Sequence, residues 1–262
     1  MKKLLSIFAF AAACAAAFAA NRKVAVQTYT CNSYTLEEVC ILLNSLGVQY
    51  IELWDGHRIG GKYPKAKCNY KMDAEQREYV KQMFAKYNIK PISSGVYYPK
   101  DEEQIKAVCD FAKYFGCEFI STESNDAEIQ QWLKYIGDMK LAIHNHHKPP
   151  YSDYNYVAKL IAKSPNVGAC ADNGGWTRAG LDSVEGLKVL KGKIFTIHLK
   201  DQEKLGNTAS NAKIYGTGCV DLKGMLAELD KQGFDGYFII EHGNYDDKFQ
   251  VIRKDVDFLR SH

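Results

Sequence analysis

From residue 23 onward the chain alternates short, β-branched runs with longer stretches whose apolar positions recur every three to four residues. The short runs are KVAVQTYT (23–30), YIELW (50–54), KPISSGV (90–96), EFISTE (118–123), LAIHN (141–145), VGACAD (167–172), IFTIHLK (194–200) and YFIIEHG (237–243). Each has the length and residue types of a strand. Between them, TLEEVCILLNSLG (35–47) predicts a helix with Thr35 as N-cap and Gly47 closing it. The stretches at 73–88, 101–116 and 221–233 predict helices in the same way. Several strand runs are apolar without interruption, which a sheet with one wet face does not tolerate, so the strands are expected to be parallel and covered by helices. Eight strand-then-helix units predict one α/β domain over residues 21–262, a closed (β/α)8 TIM barrel with its active site at the carboxyl ends of the strands. A doubly wound open sheet is the second reading, weakened because no G-x-G-x-x-G follows the first run.

Residues 1–20 stand apart from this pattern. Lys2 and Lys3 precede an apolar run that ends in Ala17-Phe18-Ala19, the order of a secretory signal peptide, with cleavage expected between Ala19 and Asn21. The chain is therefore expected in the periplasm or outside the cell. A lipoprotein anchor at Cys14 is the lesser reading, because Ala11 stands where such signals carry leucine. Without Lys2 and Lys3, 32 basic side chains face 31 acidic ones. That balance leaves no excess to hold a phosphate backbone, so nucleic acid is not an expected partner. No second apolar stretch reaches the ~18 residues of a membrane span. Beyond the leader lie seven cysteines, an odd number without C-x-x-C spacing and mostly within apolar patterns. They are read as buried thiols, with a disulfide left open by the oxidising compartment.

Ionisable residues punctuate the ends of the apolar runs: Glu123 on the fourth, His144 and His146 on the fifth, Asp172 on the sixth, His198 and Lys200 on the seventh, Glu241 and His242 on the eighth. In a barrel these ends converge, and carboxylates and imidazoles brought together form a divalent-metal site of mixed nitrogen and oxygen ligands. Structural readings stand beside these: Asp172 as a cap for the following NGGW, His198 as a core histidine, Glu241 as half of an ion pair. Glu52, between Ile51 and Leu53, reads as a base touching substrate or as a buried ion pair. His57, Arg178, Tyr97, Tyr98 and Trp176 are candidates for substrate contact, the aromatic ones by stacking on a sugar ring. His147, next to Lys148 and two prolines, is expected to face solvent.

Three stretches carry a family resemblance: NVGACADNGGWTRAGLD (166–182), GKIFTIHLKD (192–201) and IYGTGCVDLKGMLAELDKQGFDGYFIIEHG (214–243). The mature chain resembles the xylose isomerase-like TIM-barrel superfamily, in its sugar phosphate isomerase/epimerase branch. The resemblance implies a divalent cation (manganese, zinc, cobalt, iron or magnesium) held by Asp172, His198 and Glu241, with a fourth ligand from strand 5. There the chain departs from its relatives, which often have glutamate where His144 stands. His144 or the neighbouring Glu123 then supplies that ligand. Gly175 likewise stands where relatives frequently carry histidine.

The implied chemistry is proton abstraction next to a sugar carbonyl through an enediolate, with His146 as base, Lys200 on the developing oxyanion and Glu241 as acid/base. Related epimerases use two opposed glutamates, and this chain offers only Glu241. A one-sided site suits expulsion of a β-substituent as well, so a 3-keto-glycoside lyase or hydratase is the alternative to a sugar isomerase or epimerase. A non-catalytic periplasmic sugar-binding barrel is the reading without chemistry. A trinuclear-zinc endonuclease on the same fold needs more ligands than the strand ends offer. The expected partner is a small carbohydrate; a homo-oligomer is left open.

Overall fold

The computed structural model describes residues 22–243 and 247–262, so the signal peptide expected at residues 1–20 lies outside the described residues. Eight parallel strands close into a barrel: β1 (Lys23–Gln27), β2 (Tyr50–Leu53), β3 (Lys90–Tyr97), β4 (Phe119–Thr122), β5 (Lys140–His144), β6 (Val167–Asp172), β7 (Ile194–Leu199) and β8 (Tyr237–Ile240). Each strand pairs with the next, and β8 pairs with β1. The expected (β/α)8 barrel is the architecture observed, as one domain.

The helices wrap the outside: α1 (Leu36–Ser45), α2 (Ala74–Lys86), α3 (Glu102–Tyr114), α4 (Asp126–Tyr135), α5 (Tyr154–Ile161), α6 (Asn173–Ala179), α7 (Ser183–Val189), α8 (Leu222–Gln232) and α9 (Lys248–Ser261). Their starts follow the sequence signals. Thr35 and Glu38 form a reciprocal capping box on α1, Asp73 and Gln76 one on α2, and the Asp101 and Asp221 side chains accept from backbone amides of α3 and α8. The run at 23–30 is only partly strand: Thr28–Cys31 turns into a 3₁₀ helix at the barrel mouth. Among the described residues no helix is long and apolar enough to cross a membrane. None of the seven cysteines is bonded to another; six are buried and Cys219 is exposed.

The strand period of two sorts side chains between the helix-facing core and the barrel interior. A small apolar cluster of Ala25, Ile92, Phe119, Tyr237 and Ile239 plugs the interior. The same alternation that turns Tyr237 and Ile239 inward carries Glu241 to the inner rim; Thr196, His198 and Lys200 follow it on β7. Register brings the strand ends level, with Asp172 opposite His198, His198 opposite Ile239, and His144 opposite Cys170.

Candidate metal centre

Four side chains from four strands converge at the carboxyl end of the barrel. One ligating atom from each of His144, Asp172, His198 and Glu241 lies within 4.8 Å of the other three. Two asparagines tie the strand ends in place: Asn145 receives the Asp172 amide and donates to its carbonyl, both at 2.7 Å, and Asn173 does the same for Lys200 at 2.8 and 2.7 Å. Asp172 serves both of its sequence readings with different oxygens. Oδ1 caps α6 by accepting from the Gly175 amide, while Oδ2 faces His144 Nε2 at 3.2 Å and Lys200 Nζ at 2.6 Å. Glycine at 174 leaves room for Lys200, since a Cβ there would come within 2.4 Å of that side chain and force it to shift.

Each histidine is backed by a carboxylate. His144 Nδ1 lies 3.1 Å from Glu123 Oε1, and His198 Nε2 lies 2.8 Å from Glu52 Oε1. Glu52 is fully buried and also accepts from Gln27, Ser93 and Ser121. Burial alone would raise its pKa, but His198 and these donors hold it down at about 2, so it is an anion beneath the cluster. Of the alternatives left by the sequence, the structure brings His144 into the ligand set and puts Glu123 and Glu52 behind the two histidines.

His198 Nδ1 and Glu241 Oε2 are 2.7 Å apart, yet neither of these buried atoms, nor His198 Nε2 beside Glu52, has a partner at a hydrogen-bonding angle. Two imidazoles and two carboxylates with ligating atoms this close together are the donor set of a divalent cation, and carboxylates behind the imidazoles are what orients such ligands. The residues therefore fit the metal that the sequence implies.

Lys200 sits among these ligands, its Nζ also 2.9 Å from Glu241 Oε2. Burial opposes its charge, but Asp172 and Glu241 outweigh burial and raise its pKa. The same contacts act in reverse on the two carboxylates, whose buried acids would otherwise be neutral: Asp172 falls well below the usual range and Glu241 to about 2.

The cluster forms the floor of a cleft of about 300 Å³ whose walls include His146, Tyr98 and Arg178, as the sequence suggested. His146 is half-exposed; burial, with repulsion from His144 and Lys200, lowers its pKa, so it is neutral near pH 7. Three expected substrate contacts lie elsewhere. Trp176 is fully buried edge-on to Tyr154, because the helix that starts directly after Asp172 turns position 176 into the core. Tyr97 is buried, its hydroxyl on Ser94 and its ring against Trp132. His57 is buried beneath the rim, edge-on to Trp54, and burial depresses its pKa to about 4. His147 corrects in the other direction, since it lines the cleft rather than facing bulk solvent. Tyr29 and Trp54, in edge contact at 5.1 Å, form a wall the sequence reading missed. For Trp54 a signal existed, as it lies two positions past Glu52 on the same strand face.

A second hollow of about 420 Å³ lies at the opposite end of the barrel, beside Lys23, Lys140 and Tyr237. Among the described residues it holds no cluster of ligating side chains.

A family model described as xylose isomerase-like TIM barrel matches residues 41–262. Among solved structures, the chain is similar to an uncharacterized protein from Parabacteroides distasonis, at 32% identity and TM-score 0.73, covering 92% of this chain and 98% of that one. It is similar in fold to a sugar phosphate isomerase/epimerase from the same organism (16% identity, TM-score 0.69, covering 92% and 94%). It is also similar in fold to an IolI protein with a bound zinc atom (18% identity, TM-score 0.72, covering 91% and 98%). No curated protein matches significantly.

Proposed function

As the chain belongs to the xylose isomerase-like TIM-barrel family, we propose that it is an exported, divalent-metal-dependent sugar isomerase or epimerase that removes a proton next to a substrate carbonyl. The observation that carries this reading is the convergence of His144, Asp172, His198 and Glu241 beneath a cleft that also presents a neutral imidazole and an ammonium group. A divalent cation held by those four would supply a Lewis acid for negative charge developing on substrate oxygen.

The chain's own groups do the rest. His146 accepts the proton, its lowered pKa leaving the ring free to do so at neutral pH. Glu123 Oε1, 3.9 Å from His146 Nδ1, steadies the imidazolium that results. Lys200 donates a hydrogen bond to the enediolate oxygen, and its contacts with Asp172 and Glu241 aim it there. Return of that proton by His146 to the neighbouring carbon, as the hydroxyl proton shifts to the former carbonyl oxygen, completes an isomerisation; an epimer forms when His146 keeps the proton it took and one from water enters at the other face by way of the Glu241 carboxylate. Export rests on the leader-like residues 1–20 and makes a cytoplasmic sugar phosphate the poorer substrate.

One observation favours a second reading. With His144 on β5, Glu241 is the one carboxylate in the ligand set able to oppose His146, and a one-sided base also suits loss of a β-substituent from a 3-keto-glycoside. Both readings are tested by incubating the manganese-loaded protein with ketoses and 3-keto-glycosides in deuterated water, followed by NMR. Deuterium on the retained carbon skeleton supports isomerase or epimerase, and release of the aglycone supports the lyase. A purified protein that holds no stoichiometric divalent ion and cannot take one up supports the sugar-binding barrel instead.

A further inference from the structure

The cleft above the candidate metal centre does not end at its walls. A second hollow, of about 500 Å³, adjoins it and shares two of its lining residues, Tyr29 and Arg178. Beyond them this distal part is lined by Ser210, Asn211 and Lys213, on and beside the hairpin formed by Asp201–Gln202 and Ala212–Lys213. The proximal part, at about 300 Å³, is at the small end of ligand pockets and suits one sugar ring. The two together have room for more.

Charge divides the two parts. The metal end carries Asp172 and Glu241, whereas no acidic side chain lines the distal end among the described residues. Arg178, in the last turn of α6, stands at the junction. Among the described residues its one hydrogen bond is a long one, 3.4 Å from Nη2 to the Ser210 carbonyl, and its Nε is buried without a partner. No carboxylate among the described residues lies within 4 Å of it. A guanidinium offers five N–H donors in a planar fork that matches a carboxylate. Lys213 adds a second positive charge, its Nζ 3.9 Å from Glu203 Oε1. A half-buried cation with most of its donors unused is a receptor for an anion brought by the ligand.

We propose that the cleft takes a two-unit glycoside whose distal unit is a uronate, with Arg178 as the residue that reads its carboxylate. The inference rests on the reading above in placing the reacting unit over His144, Asp172 and Glu241. Its specificity rests on Arg178 alone.

The test is calorimetric titration of the full chain, manganese-loaded and chelator-treated, with cellobiose, cellobiouronic acid and glucose 6-phosphate. Cellobiouronic acid is expected to bind at least tenfold more tightly than cellobiose in both states of the protein. Arg178→Gln should erase that preference without changing manganese uptake, and Arg178→Lys should retain part of it, which separates loss of the fork from misfolding. Equal affinity for the two disaccharides, a preference that survives in Arg178→Gln, or tighter binding of glucose 6-phosphate would each overturn the proposal. Failure to take up manganese while the uronate preference persists would instead sink the metal-dependent reading and leave this one standing.

Discussion

Glu123 Oε1 stands 3.1 Å from Nδ1 of His144, a contact that turns the ring's other nitrogen toward Asp172. With Nδ1–H donating to the carboxylate, Nε2 is left as the lone pair facing the cluster, the tautomer a metal ligand needs. In this geometry Glu123 contacts the cluster through His144 and is not among the four side chains that converge.

Glu123→Gln should therefore weaken metal affinity by about 10–100-fold without abolishing it, the range typical for carboxylates behind a ligand histidine. Titration calorimetry with manganese and zinc measures this. Complete loss of binding would identify Glu123 as a ligand, and unchanged affinity would remove it from the site.

Lys200→Met should have the opposite effect on the metal. The Lys200 ammonium lies 2.6 Å from Asp172 Oδ2 and 2.9 Å from Glu241 Oε2, so a cation entering the cluster meets a like charge. At an effective dielectric constant near 20, two unit charges ~4 Å apart repel by about 4 kcal/mol, and even a fraction of that is worth tenfold in affinity. Tighter metal uptake with slower turnover is the expected pair of results. Weaker uptake would mean that the lysine supports the ligand geometry.

The metal-free protein should lose stability, and the cluster gain metal affinity, as pH rises above about 6.5. Burial disfavours a charged His144, but its bonds with Asp172 and Glu123 outweigh this and raise its pKa. His198, opposed by burial but faced by Cys170, Glu52 and Glu241, is raised further. A raised folded-state pKa contributes stability that is full below the unfolded value and lost as pH climbs through the folded one. The metal needs both rings neutral, so its affinity climbs over the same window. Thermal melts and metal titrations between pH 5.5 and 9 check both slopes; flat profiles would show that neither ring is protonated in the metal-free state.

His198→Ala and Glu241→Ala should both abolish metal binding but part company in stability. Glu241 is at the rim, whereas His198 is fully buried against Glu52, whose carboxylate would lose its charged partner. Removing one member of a buried pair costs about 3–5 kcal/mol, here lessened by the hydrogen bonds that Gln27, Ser93 and Ser121 still donate. Urea denaturation of the two variants reads the difference. Equal midpoints would place His198 outside the structural core.

Local pattern determined much of this protein. The alternation of apolar runs with helical stretches contains the barrel, and the caps at Thr35, Asp73, Asp101 and Asp221 are written in adjacent residues. Period two places Asp172, His198 and Glu241 on one inner face, because successive strand side chains must point to opposite sides. Tertiary structure decided the rest. Whether His144 or Glu123 entered the cluster depended on how far β4 and β5 reach around a closed barrel, a distance that no spacing along the chain encodes. The same closure put Glu52 beneath His198, drew Trp176, Tyr97 and His57 into the core, and set Arg178 beside residues 210–213. Side-chain direction on a strand is a local property, whereas the company a side chain keeps at a barrel rim is set by strands far apart in sequence packing into one ring.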